Sequence, residues 1–317
     1  MWKKLSLLLM TMLFVVVAAA CSSGAKEEEK EKEEPKKEAE TITVTHELGE
    51  TEVPKNPEKV AVFDYGTLST MDTLDIEVAG LPKDPVPSYL SKYEDEKYEN
   101  LGGLKEPDFE KIHAMQPDLI IISGRQADMY DQFTEIAPTI YLGVDESDYM
   151  NSFKKNTEIV GEIFGKEDEV KTELAKIDKD VQAVKDQATK SGKTGLIVLA
   201  SEGEMSAYGP GSRFGIIHDA LGVTPVDKNI KVDNHGDKIS FEYIVEKDPD
   251  YLFLVDRGAV IGGKASAEQV VENDLMKNTK AVKNDNVVYL DGNYWYLSGG
   301  GLGSVSAMVK EVAEGLK

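Results

Sequence analysis

Two segments of this chain repeat each other 132 residues apart, FEKIHAMQPDLIIISGR (Phe109 to Arg125) and FEYIVEKDPDYLFLVDR (Phe241 to Arg257). Six of the seventeen positions are identical without a gap: Phe109/Phe241, Glu110/Glu242, Ile112/Ile244, Pro117/Pro249, Asp118/Asp250 and Arg125/Arg257. Each copy reads as a short helix, a Pro-Asp stop, and an unbroken apolar strand that ends in arginine. A period this long, met once, predicts two similar lobes rather than a solenoid. The pattern extends to both sides. VAVFDYG and GLIVLAS are apolar strands ahead of the helical stretches TLSTMDTLD and GIIHDALG, and APTIYLGVD and NDNVVYLDG are later short strands. Continuous apolar strands alternating with helices indicate parallel sheets covered on both faces. The expected fold class is α/β, with two duplicated Rossmann-like lobes over residues 41–150 and 193–317. ITVTHELGETEV predicts an opening hairpin that turns at Gly49.

Residues 151–192 between the lobes are polar and helical in pattern. Val170, Leu174, Ile177, Val181, Val184 and Ala188 form one apolar stripe, on a helix of roughly 20 residues or more. The stripe is under three heptads long, so a lobe can cover it without a coiled-coil partner. One long helix joining the lobes makes a stiff connection, and lobe closure is expected to be modest.

Residues 1–20 are not fold. MWKK supplies two lysines, LSLLLMTMLFVVVAAA an apolar run, and Cys21 follows three alanines, the layout of a secretory signal. The apolar run is about as long as a short membrane span, so a retained anchor is the alternative. Cys21 is the chain's single cysteine and cannot form an internal disulfide. The site resembles a bacterial lipobox, with Ala18 where leucine is usual, which implies a lipid on Cys21. Residues 21–40 lack aromatic and β-branched side chains and predict a disordered tether. The net charge of −22, less +2 in residues 1–20 and −3 in 26–40, leaves −21 on the body. So acidic a body excludes nucleic acid and anionic lipid as partners.

A lipobox, a charged tether, duplicated α/β lobes and a long linking helix together resemble the substrate-binding lipoproteins of iron-siderophore ABC importers, of the helical-backbone periplasmic-binding-protein type. The segments ISGRQ, GPGSRFG, LVDRG and NYWYLSGGG are similar to those of members that bind petrobactin-type catecholate siderophores. The resemblance runs over the whole chain from Cys21. It implies a monomer held by lipid at the outer face of the cell membrane, a ligand cleft between the lobes, and an ABC permease with its ATPase as partner.

The residues fit that expectation. Of 36 basic side chains only Arg125, Arg213 and Arg257 are arginine. Arg125 and Arg257 fall at strand carboxyl ends, where open α/β sheets present ligands, and the repeat places them on facing lobes. Arg213 lies in the GPGSRFG loop, ahead of a helix expected to start near Phe214 and to add partial positive charge. Guanidinium is permanently charged, weakly hydrated and fork-shaped, which suits multi-oxygen anions such as a ferric catecholate or catecholate–citrate chelate. The resemblance adds Lys105 and, more weakly, Lys83. Tyr294, Trp295 and Tyr296 in NYWYLSGGG are candidates to stack on catechol rings beside a glycine run. Tyr65 and Tyr208 are expected at the rim. Glu110 and Glu242, equivalent in the repeat, are the positions at which the family meets arginines of the permease; on residue grounds alone they also suit the first turn of a helix.

Other classes fare less well. GPGSRFG is not a dinucleotide fingerprint, and no serine elbow, P-loop or Cys-His pair occurs, so no catalytic residue and no cofactor are expected. His46, His113, His218 and His235 are scattered, unlike a free-metal site, and iron is expected to arrive inside its chelator. A haem, cobalamin or free-metal-ion binder of the same fold is the alternative.

Overall fold

The computed structural model describes residues 40–261 and 267–316. The signal segment, Cys21 and all but the last residue of the tether lie outside the described residues.

The described chain opens with an antiparallel hairpin of β1 (Thr41–His46) and β2 (Gly49–Pro54). Its turn is Glu47–Leu48, one step earlier than expected, and Gly49 starts the return strand at φ +147°. A five-stranded sheet follows in the order β5-β4-β3-β6-β7, parallel throughout. Its elements are β3 (Val60–Val62), α1 (Tyr65–Thr73), β4 (Gly80–Leu81), β5 (Glu99–Asn100), α2 (Phe109–Met115), β6 (Leu119–Ile122), α3 (Tyr130–Thr134) and β7 (Thr139–Tyr141). Every residue of β3 and β6 is buried, which is why these strands read as unbroken apolar runs.

The connection holds the expected long helix, α5 (Glu167–Ser191), preceded by a second helix, α4 (Tyr149–Phe164). Gly165 takes φ +61° and ends α4 in the left-handed conformation open to glycine. The predicted stripe falls on the 25-residue α5, which packs against α4 and against α10 (Leu302–Gly315).

The second sheet has six strands, β11-β9-β8-β12-β13 with β10 beside β8. They are β8 (Thr194–Ser201), β9 (Glu204–Tyr208), β10 (Thr224–Pro225), β11 (Asp237–Ile239), β12 (Tyr251–Asp256) and β13 (Val287–Leu290). The helices between them are α6 (Ile216–Asp219), α7 (Phe241–Lys247), α8 (Ala267–Glu272) and α9 (Lys280–Lys283). Parallel β8-β12-β13 repeats β3-β6-β7. This sheet is mixed, however, because β9 runs antiparallel to both its neighbours, β8 and β11. The cause is local: Glu202 and Gly203, both at positive φ, form a two-residue turn that sends the chain straight back along β8.

The repeated Pro-Asp has the same task twice. Asp118 Oδ2 accepts from the Glu58 and Lys59 amides at 3.1 and 2.8 Å, just ahead of β3. Asp250 Oδ2 accepts from the amide and hydroxyl of Thr194 at 2.9 and 3.1 Å, at the start of β8. Each carboxylate ties its own strand to the neighbouring central strand, which sets the register at the end away from the cleft.

Candidate ligand-binding cleft

The carboxyl ends of the two sheets open onto one cleft of about 970 Å³. All three arginines line it. Arg125 follows β6, Arg257 directly follows β12, and Arg213 comes from the loop between β9 and α6. They converge on one residue, Tyr296, in a single π-helical turn (Asn293–Leu297) after β13. Arg125 Nη2 donates to the Tyr296 carbonyl at 2.7 Å and Arg213 Nη2 to the same oxygen at 2.6 Å. Arg257 Nε donates to the Tyr296 hydroxyl at 2.9 Å, and its Nη1 to Ser201 Oγ at 2.8 Å. The Arg213 guanidinium also lies 4.4 Å from the centre of the Tyr296 ring.

These contacts hold the guanidinium groups in place but are to uncharged oxygens. Among the described residues every side-chain ion pair uses lysine, and none reaches an arginine. Burial lowers the pKa of Arg125, and the like charge of Arg213 lowers it further. Burial alone would raise the Tyr296 hydroxyl, but the bond from Arg257 and the charges of Arg213, Arg257 and Arg125 outweigh it and bring it below the usual tyrosine value. The cleft floor therefore carries a field that favours an anion. At about 4 Å a charge pair is worth about 1 kcal/mol in water and about 4 where water is partly excluded.

The other predicted residues divide. Lys105 is exposed and lines the cleft. Trp295 lines it too, yet is 2 % exposed, with its indole N–H given to Glu311 Oε2 at 2.7 Å. Tyr208 is buried rather than at the rim, but borders the cleft. Tyr65 does not: it is fully buried at the start of α1, and its hydroxyl donates to the Pro82 carbonyl at 2.8 Å. Tyr294 stacks on Tyr89 at 4.5 Å and does not line the cleft either. Lys83 reaches the Glu94 and Asp95 carbonyls instead. The helix after Arg213 starts at Ile216, is four residues long, and lends no useful dipole; Asp219 already holds the Gly211 amide.

The glycine run serves packing more than ligand approach. Gly301 is so close to α1 that a Cβ there would sit 2.0 Å from the Gly66 carbonyl oxygen. Around that contact the Leu302 amide donates to Thr70 Oγ1 at 3.0 Å and the Ser304 amide to Ser69 Oγ at 3.1 Å, tying α10 to α1. Glu110 and Glu242 are exposed in the first turns of α2 and α7.

Sequence reading missed Ser201, His235 and Glu146, all in the cleft wall. Ser201 had a signal, since it ends a predicted strand; Glu146, in a turn ahead of α4, had none. Among the described residues no three His, Cys, Asp or Glu side chains are grouped to hold a metal ion, and no helix is long and apolar enough to cross a membrane.

Residues 60–294 match the family model of the periplasmic binding proteins. The chain belongs to this family. It is an extracytoplasmic binding protein of a transport system and not an enzyme. It is similar to the petrobactin-binding protein YclQ of Bacillus subtilis (strain 168), 56% identical over 282 residues that span 88% of this chain and 89% of the relative. The crystal structure of that protein superposes with a TM-score of 0.86, covering 88% of this chain and 99% of that one. The ferric-anguibactin-binding protein FatB of Vibrio anguillarum (strain ATCC 68554 / 775) is 32% identical over 86% of this chain and 87% of its own length. The siderophore-binding protein BauB, solved with two acinetobactin molecules and ferric iron, is 35% identical with a TM-score of 0.81, over 88% of this chain and 99% of its own.

Proposed function

We propose that this chain captures an anionic ferric siderophore, of the catecholate or mixed catecholate–citrate class, in the arginine-lined cleft and delivers it to an ABC permease driven by its ATPase. The observation that carries this reading is the convergence of the chain's only three arginines on Tyr296, in a cleft where, among the described residues, no carboxylate forms an ion pair with them. The similarity to a petrobactin-binding protein and to a ferric-acinetobactin complex supports it. Iron comes as cargo within its chelator, not as a resident cofactor. In this reading residues 1–20 are a signal, a lipid on Cys21 and the 21–40 tether hold the monomer to the outer face of the membrane, and residues 151–192 join lobes 41–150 and 193–317. Arg125, Arg213, Arg257 and Lys105 face the anion, Tyr296 and the edge of Trp295 face its rings, and Glu110 and Glu242 face the permease.

Titration of the purified protein with ferric catecholates, followed by quenching of tryptophan fluorescence, tests the reading. Arg257→Ala is expected to weaken binding at least about tenfold, roughly the loss of one charge-assisted contact, with thermal unfolding little changed. Unchanged affinity in single alanine variants of all three arginines would remove the anion cleft.

A further inference from the structure

A chelate that carries aromatic rings needs an aromatic surface open to the cleft, and most candidates for one are covered or engaged. The aromatic residues lining the cleft are Tyr141, Tyr149, Tyr208, Trp295 and Tyr296. Tyr149, Tyr208 and Trp295 are buried. Tyr296 is half-buried, but its hydroxyl is held by Arg257 and its ring lies under the Arg213 guanidinium. Tyr141 remains. It is half-buried, and among the described residues it forms no hydrogen bond and no aromatic or cation–π contact. Its seat is built by the backbone. Tyr141 is the last residue of β7 and pairs with Ile122 of β6, so it stands at the carboxyl edge of the first sheet, close to the strand end that carries Arg125. A Cβ on Gly143 would fall 2.2 Å from the Tyr141 hydroxyl oxygen and 2.3 Å from Cζ, so the ring fills space that only a glycine at 143 leaves free. A Cβ on Gly124 would sit 3.7 Å from the same oxygen, which sets the hydroxyl beside the backbone leading into Arg125. Burial, and then nearby carboxylates, push that hydroxyl up to about 12, so it is a neutral donor at neutral pH.

We propose that Tyr141 is a specificity-determining residue of this cleft, one that packs its ring on an aromatic ring of the chelate and donates its hydroxyl to a chelate oxygen. Tyr141 belongs to the first lobe and Tyr296 to the second, so each side of the cleft brings one accessible tyrosine. The two kinds of residue then divide the work. Guanidinium groups attract any polyanion of suitable size, whereas ring packing is gained only by a ligand that has a π-face to offer. Tyr141 therefore separates catecholates from ring-free chelates of similar charge, such as citrate complexes, which the arginines alone do not distinguish. The repeat supplies an internal control. Tyr289 pairs with Leu254 of β12 as Tyr141 pairs with Ile122, and Leu254 is 132 residues beyond Ile122. Yet Tyr289 is 51 % exposed and does not line the cleft.

This inference rests on the ferric-catecholate reading, and the experiment separates the two. Two probes are applied to the purified protein. A ferric tris(catecholamide) is followed by quenching of tryptophan fluorescence, and ferric citrate, an anion without rings, by its displacement of the first probe. Tyr141→Leu removes the ring and the hydroxyl but keeps apolar bulk. It is expected to bind the catecholamide about tenfold more weakly, with ferric citrate within about twofold of wild type. Tyr141→Phe keeps the ring and should lose only about threefold. Tyr289→Leu, the same change outside the cleft, should match the wild type with both probes. Unchanged catecholamide affinity in Tyr141→Leu overturns the inference and leaves the ferric-catecholate reading standing. Weakening of both probes by the same factor also overturns it, since that is the signature of a residue that only props the cleft. If the wild type does not bind the ferric catecholamide, the ferric-catecholate reading itself fails, and the role of Tyr141 with it.

Discussion

Tyr296 performs three tasks with three different parts. Its carbonyl is the shared acceptor for Arg125 and Arg213, its ring faces Arg213, and its hydroxyl holds Arg257. Guanidinium groups that repel one another are thus fixed before any ligand arrives, so less ordering is required on binding. His218 illustrates a buried polar group outside the cleft. Its Nδ1–H donates to the Val223 carbonyl at 2.8 Å, while Nε2 is buried with no partner. Burial lowers its pKa below the ordinary 6.5. In acid the unfolded chain therefore binds a proton that the folded chain resists, and stability falls as pH drops below about 6.5. Thermal unfolding from pH 7 down to about 5 should show a declining Tm, and His218→Gln, though less stable at neutral pH, should show a flatter profile. An equally steep decline in the variant would assign the acid sensitivity elsewhere. At this scale Arg125 and Arg257 were legible as rare residues at strand ends and Arg213 as one in a glycine loop, whereas Tyr65 and Tyr294 were not separable from ligand contacts. An aromatic beside a strand end looks the same in sequence whether it turns into the core or into the cleft.

The repeated helix–Pro-Asp–strand unit was the most legible element, because its turn chemistry and its core are both local. Both helices end in a left-handed residue, Gln116 at φ +49° and Asp248 at φ +43°, and both aspartates then bind the adjacent central strand. The break between α4 and α5 at Gly165 was less visible, since apolar spacing on either side continues across it. The approach of α10 to α1 left no pattern that sequence could show beyond a glycine run. It gives a sharp prediction. Gly301→Ala places a methyl carbon 2.0 Å from a backbone oxygen, so one of the two helices must shift. The expected cost is about 1–3 kcal/mol, read as a Tm lower by several degrees, and the Ser69 and Thr70 hydrogen bonds should weaken with it. An unchanged Tm would mean that this seam yields easily.

Across the whole molecule, two parallel triplets, β3-β6-β7 and β8-β12-β13, aim their carboxyl ends at one cleft. The α4–α5 connection and the α10–α1 seam both tie the halves together, which favours a small closure on ligand. Glu110 and Glu242 are far in sequence but equivalent in the repeat and exposed on matching helices. In the proposed docking role, a Glu110→Ala/Glu242→Ala protein binds ferric catecholate as the wild type does yet fails to support uptake of radiolabelled iron in cells; normal uptake would count decisively against that role. Composition, periodicity and the internal repeat determined the α/β class, the duplication and which strands end in arginine, because these follow from local backbone preference and from burial along each strand. Tertiary structure alone decided that all three arginines meet on Tyr296, that Tyr294 packs on Tyr89, and that the Tyr208 hydroxyl is buried without a partner. Those outcomes depend on how segments distant in the chain approach one another, and partner choice between such segments has no local signature.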